Sequence, residues 1–209
     1  MPGAAWNLYS NLKYFTKKIA PIFPYEKWVK YFYNSEYCIS QTKAFECYSP
    51  FKGSIQAKTI VVSDHNKGFV NKQSFDLISD LTVVNTKYRT LNKSVLKKTK
   101  KKILIAEDYI EDFSFYDFVI LFTQESQIRI YKKDLLLTSI RLPSVQPSNV
   151  VGMLDVMTAT FAYVLHEQSE INDSCVVFAA NLAIRFTSIS TQTPYTCNLN
   201  FLKDKNVYY

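Results

Sequence analysis

The sequence predicts an α/β protein: a mostly parallel β-sheet with helices on both faces. Three observations carry that expectation. Residues 59–62, 81–84, 102–106 and 117–122 form short apolar runs separated by polar or helical stretches. Continuous rather than alternating apolar strands suit a sheet covered on both sides, which is typically a parallel one. After Pro147 the period changes, and Met153, Met157, Phe161, Val164 and Leu165 fall on one helical stripe. Finally, 209 residues that are 47% hydrophobic and 15% aromatic can bury a real core. That excludes disorder as the main state and suits a single domain over residues 1–209.

Taken in order, Leu8, Leu12, Phe15 and Ile19 mark one face of a first helix, which Pro21 and Pro24 should end. Residues 26–33 fit helix or strand, and 37–48 lean to strand because they are aromatic and β-branched. Pro50 and Gly53 mark a turn. The run at 59–62 opens into a polar loop from Ser63 to Gly68, and the run at 81–84 ends at Asn85. Residues 127–131 and 135–142 read as a hairpin turning at Lys132, Lys133 and Asp134, and a last helix covers 173–188.

The counts exclude several classes of function. Four glycines stand where average usage would give roughly 15, and no two lie close together. Neither a Walker-type phosphate loop nor a GxGxxG turn can be built from them. Two distant histidines and four cysteines without a CxxC pair give no familiar zinc spacing, and reduced, mostly buried thiols are expected. No apolar run approaches the roughly 18 residues of a membrane span, and residues 1–20 lack the apolar block of a signal peptide, so a cytoplasmic location is expected. The net charge of +7 is concentrated in Lys97, Lys98, Lys100, Lys101 and Lys102. That cluster reads as a solvated helix end or loop ahead of a strand. The rival reading is a phosphate or nucleic-acid contact, though no aromatics interleave with the lysines as in a single-strand binder.

Chemistry concentrates at residues 149–155, Asn-Val-Val-Gly-Met-Leu-Asp. A glycine just before a helix presents unpaired N–H groups at the positive end of the helix dipole, which is an anion-binding geometry. Asp155 falls in the first helical turn. It either favours the helix start by tenths of a kcal/mol or serves as a general base beside the anion hole.

Several segments, in order, resemble the ribokinase/phosphofructokinase-B family of carbohydrate kinases, nearest its heptose-phosphate kinase branch. Residues 2–8, PGAAWNL, resemble P-G-G-A-A-N-V; residues 62–68, VSDHNKG, resemble L-S-D-Y-G-K-G; residues 81–85, LTVVN, resemble L-L-T-P-N. Residues 149–155 resemble D-T-T-G-A-G-D, and 178–183, FAANLA, resemble the Ala-rich helix near the adenine. The resemblance implies a ribokinase-like fold and transfer of a phosphoryl group from magnesium-ATP to a sugar or sugar-phosphate hydroxyl. Asp155 would be the base, and Gly152, Met153 and Leu154 the anion hole. Gly3, Asn7, Asp64 and Lys67 would belong to the sugar site, and Asn85 and Asn181 to the nucleotide site. No protein metal ligand is expected.

The same comparison marks departures. Leu154 replaces the second glycine of G-A-G-D, where a side chain would crowd a phosphate or forbid the backbone angle. Asn149 replaces the motif's first Asp, and Tyr88 stands where the family has a magnesium-directing acid. Thr123-Gln124-Glu125 lacks the T-x-G glycine, and Gly3-Ala4 replaces a Gly-Gly pair. The expectation is therefore a weak or degenerate kinase homologue, with a pseudokinase acting as a structural or protein-binding module as the alternative. The resemblance begins at the P-G-G motif, so the expected sheet lacks the family's opening strand. Trp6, Trp28, Tyr31, Tyr33 and Tyr37 cluster near that gap. Either they fill it within the monomer, or residues 1–50 form a homo-oligomer or protein–protein interface.

Overall fold

The computed structural model describes residues 4–22, 28–33, 37–43, 52–64, 75–86, 93–107, 114–123, 125–144, 150–192 and 197–200. Helix α1 (Ala4–Phe15) is followed by strands β1 (Trp28–Tyr33) and β2 (Tyr37–Lys43), which pair with each other as an antiparallel two-stranded sheet. Strands β3 (Gly53–Asp64), β4 (Phe75–Thr86), β5 (Lys98–Glu107), β6 (Phe118–Thr123), β7 (Gln127–Lys132) and β8 (Leu135–Arg141) form a six-stranded sheet in sequence order. A 3-10 turn (Lys93–Leu96) precedes β5, and helices α2 (Met153–His166) and α3 (Asp173–Ser190) come last. The chain divides into two compact units. One holds Met1–Glu46, Pro143–Val164 and Phe178–Tyr209; the other holds Cys47–Leu142 and Leu165–Val177.

In the second unit the fold class expected from the apolar runs is present. Strands β3 to β6 are mutually parallel, and β7 and β8 extend the sheet antiparallel. One row of partners runs Val62, Val84, Leu104, Val119, Tyr131 and Leu136. Residues 103–106 and 118–122 are buried without a break. In a strand successive side chains point to opposite faces, so both faces at the sheet's centre are covered. One hydrophobic cluster gathers Ile60, Val62, Leu77, Leu104, Ala106 and Leu121 with Val95 and Leu96 of the 3-10 turn. The C-terminal end of α2 reaches β3, where Lys58 Nζ donates to the His166 carbonyl at 3.0 Å and Thr59 Oγ1 lies 2.9 Å from His166 Nδ1.

Two expectations about boundaries are corrected, and one that was left open is decided. Helix α1 stops at Phe15 and does not reach Ile19 or Pro21: Thr16 N–H closes the last turn on the Leu12 carbonyl, and Lys18 N–H then turns onto Thr16 Oγ1. Of the stretch at 26–33, which fitted helix or strand, residues 28–33 are strand. The lysine cluster is not a loop or helix end ahead of a strand but largely part of β5 itself, which starts at Lys98. There Lys98 pairs with Asp76 at 2.6 Å and Lys100 with Asp80 at 2.7 Å, both acids on β4, and Lys102 Nζ lies 5.7 Å from the Phe115 ring centre. β3, β4 and β5 outrun their apolar runs because their N-terminal halves carry polar residues such as Ser54, Gln56 and Lys98 on exposed positions. Pro50 lies outside the described residues; Gly53 opens β3 with φ +120°.

In the first unit, Phe15 of α1 stacks on Tyr163 of α2 with ring centres 4.8 Å apart and meets Phe186 of α3 edge-on at 5.4 Å. Val156, Cys197 and Leu199 complete that cluster. Leu8, Asn11 and Leu12 are the buried face of α1. No helix among the described residues is long and apolar enough to cross a membrane.

Candidate functional site

The start of α2 is set by a tight turn. Met153 N–H donates to the Val150 carbonyl at 3.2 Å, and Gly152 between them has φ 84°. A positive φ at the third residue with that closing bond is the signature of a type II turn, where glycine fits best. The first helical bond follows, from Val156 N–H to the Gly152 carbonyl at 3.1 Å. Cys197 N–H anchors the turn from outside by donating to the Val151 carbonyl at 2.8 Å.

Asp155 is therefore the third residue of α2, where a carboxylate is favoured by the helix dipole. It is buried at 6% exposure, and its Oδ2 accepts a hydrogen bond from Asn7 Nδ2 at 3.0 Å. Two residues 148 positions apart, one from α1 and one from α2, thus meet. Behind them Asn11, fully buried, donates to the Asn7 carbonyl at 2.9 Å and lies 3.5 Å from Asn7 Oδ1. Asn11 Oδ1 in turn accepts Leu199 N–H at 2.8 Å. Asn198 and Asn200 fasten the same segment to Ser10. The Cys197 thiol is pushed up to about 11, first by burial, while a hydrogen bond from Ser190 acts against the shift and the Asp155 charge adds to it.

The expected anion hole takes a particular form. Gly152 and Met153 are half-buried, and the Met153 amide is engaged by the turn. Leu154 is buried and helical, with no positive φ, and the bend of the backbone falls on Gly152. Asp64 and Asn85 sit side by side at the C-terminal ends of β3 and β4, where Ser63 pairs with Asn85 and Asp64 with Thr86. In open α/β sheets that end is where ligands bind. Asn85 is buried, and Ser63 Oγ is buried without a hydrogen-bond partner among the described residues. Asn181 is exposed on α3, whose Ala179, Ala180 and Ala183 are buried. Gly3, Lys67, Tyr88, Asn149 and Gln124 lie outside the described residues.

Sequence reasoning missed Asn11, Cys197 and the asparagines at 198 and 200. Asn11 carried a usable signal, since a polar residue four after Asn7 shares its helical face. A surface hollow of about 780 Å³ is lined by Trp6, Tyr9, Lys13, Lys17 and Asn200, and no residue singled out for catalysis lines it. Among the described residues no group of three or more His, Cys, Asp or Glu could hold a metal ion.

No family model matches the chain, and no curated protein matches it. Among solved structures it is similar to ribokinase from Thermotoga maritima, at 12% identity and a TM-score of 0.42, over 70% of this chain and 57% of that one. It is also similar to ribokinase from Giardia lamblia, at 15% identity and a TM-score of 0.39, over 65% of this chain and 53% of that one. The chain thus spans little more than half the length of either ribokinase.

Proposed function

We propose that this chain is a ribokinase-like carbohydrate-kinase homologue, nearest the heptose-phosphate branch, with weak or degenerate activity. The family chemistry breaks a sugar O–H bond, hands the proton to Asp155, forms the new O–P bond to the γ-phosphoryl group and releases ADP. Positioning and charge stabilisation matter most in such a transfer. The observation that supports this reading is the 3.0 Å contact between Asn7 and Asp155. The sequence resemblance assigns one to the sugar site and the other to the base, from opposite ends of the chain.

In this reading Gly152, Met153 and Leu154 face the transferred phosphate, Gly3 belongs with Asn7 to the sugar site, and Asn181 faces the nucleotide. Magnesium would arrive on the ATP phosphates. The pseudokinase alternative is favoured by one observation: the Met153 N–H is already bonded to Val150. The same reading places the chain in the cytoplasm and gives residues 1–50, where Trp6 is 45% exposed, to a second copy or another protein.

The test is calorimetric titration with magnesium-ATP, followed by a coupled assay over a panel of sugars and sugar phosphates. Sugar-dependent turnover that Asp155→Asn lowers about 100- to 10,000-fold supports the kinase. Turnover unaffected by Asp155→Asn removes Asp155 from the chemistry. No ATP binding at millimolar concentration favours the pseudokinase.

A further inference from the structure

The hydrogen bonds behind Asp155 have a direction. The Leu199 N–H can only donate, so the Asn11 oxygen must face it. That orientation turns Asn11 Nδ2 toward Asn7, where it donates to the carbonyl at 2.9 Å and lies 3.5 Å from Oδ1. An NH₂ group facing Asn11 Nδ2 would be repelled, so Asn7 presents its oxygen there and its Nδ2 to Asp155. A backbone donor at 199 thus sets the polarity at the carboxylate, through two side chains.

We propose that Asn11 is a positioning residue: it fixes the orientation of the Asn7 amide and thereby holds Asp155 as a hydrogen-bond acceptor, favouring its ionised form. The significance of this for a base rests on the kinase reading above; the relay itself does not. Hydrogen bonds donated to a carboxylate favour its charged form. The Asp155 charge acts on the Cys197 thiol, which Ser190 of α3 contacts and which is neutral at ordinary pH because burial raises it.

The experiment is an NMR titration of the full chain labelled at the aspartate carboxyl carbon, with the Asp155 signal assigned from Asp155→Asn. In Asn11→Leu the Asn7 amide is free to turn its oxygen to Asp155, and the Asp155 midpoint should rise by about one pH unit, a tenfold change in proton affinity. In an Asn7→Leu background the same substitution should leave the midpoint unchanged, as a double-mutant cycle requires when the effect runs through Asn7. The isosteric Asn11→Asp keeps the acceptor for Leu199 and serves if Asn11→Leu fails to fold; its shift should also shrink when Asn7 is Leu. An unmoved midpoint in a folded Asn11 variant overturns the proposal, as does an equal shift without Asn7. A midpoint that moves in a protein with no sugar-dependent turnover keeps the relay and removes the kinase.

Discussion

Gly152→Ala separates two reasons for a glycine before α2. The backbone there has φ 84° and closes a type II turn through Met153 N–H and the Val150 carbonyl at 3.2 Å. An L-residue in the left-handed region costs about 1–2 kcal/mol. The entropic gain of Gly→Ala in the unfolded state, about 0.4–1 kcal/mol, is outweighed where φ is positive. A net loss near 1 kcal/mol lowers Tm by about 2–4 °C in a protein of this length. Gly152→Asn should lose less, because asparagine tolerates this conformation. Thermal denaturation followed by circular dichroism reads both variants. An alanine variant as stable as the parent, or more so, would refute the turn as the cause. Glycine would then be required only for close approach of a phosphate, and the substitution would show in ATP titration alone.

Asp155→Asn should change the denaturant midpoint little, since the dipole contribution is only about 0.3–1 kcal/mol and the buried charge is removed with it. Burial holds the Cys197 thiol up to about 11 from 9.0, so its contribution to stability is complete below pH 9 and is lost as pH rises through 11. Denaturation at pH 8 and pH 10.5 should show that loss in the parent and a smaller one in Cys197→Ala. Leu104→Ala, at a fully buried position in the central strand β5, should cost about 2–5 kcal/mol by urea denaturation. Asp80→Asn should leave the midpoint within error at both low and high salt, because Asp80 and its partner Lys100 are open to solvent.

The fold was legible where burial is continuous. Residues 103–106 and 118–122 are apolar without interruption because both faces of those strands are covered, and that pattern identifies a parallel sheet from the residues alone. Strand ends were not legible. Lys98 and Lys100 lie in β5 because Asp76 and Asp80 stand beside them on β4, and a cross-strand partner cannot be read from local composition. The end of α1 was misjudged for a similar reason. Pro21 is the obvious stop, yet a threonine hydroxyl ends the helix five residues earlier.

The site divides along the same line. Gly152 and Asp155 could be found because a glycine and an acid at a helix start have local physical reasons to be there. Those same reasons make either residue a weak sign of chemistry. Asn7 is different: α1 gains nothing locally from an asparagine aimed into the protein, and its amide acquires meaning only against Asp155, 148 residues away. Asn11 and the 197–200 segment extend that logic. A fully buried amide and a backbone donor are committed to orienting one side chain, a costly arrangement unless every member is satisfied. A helix start needing only a favourable charge would keep Asp155 without the two asparagines behind it. The relay therefore gives Asn7 and Asn11 a physical reason that the sequence motif around Asp155 does not supply.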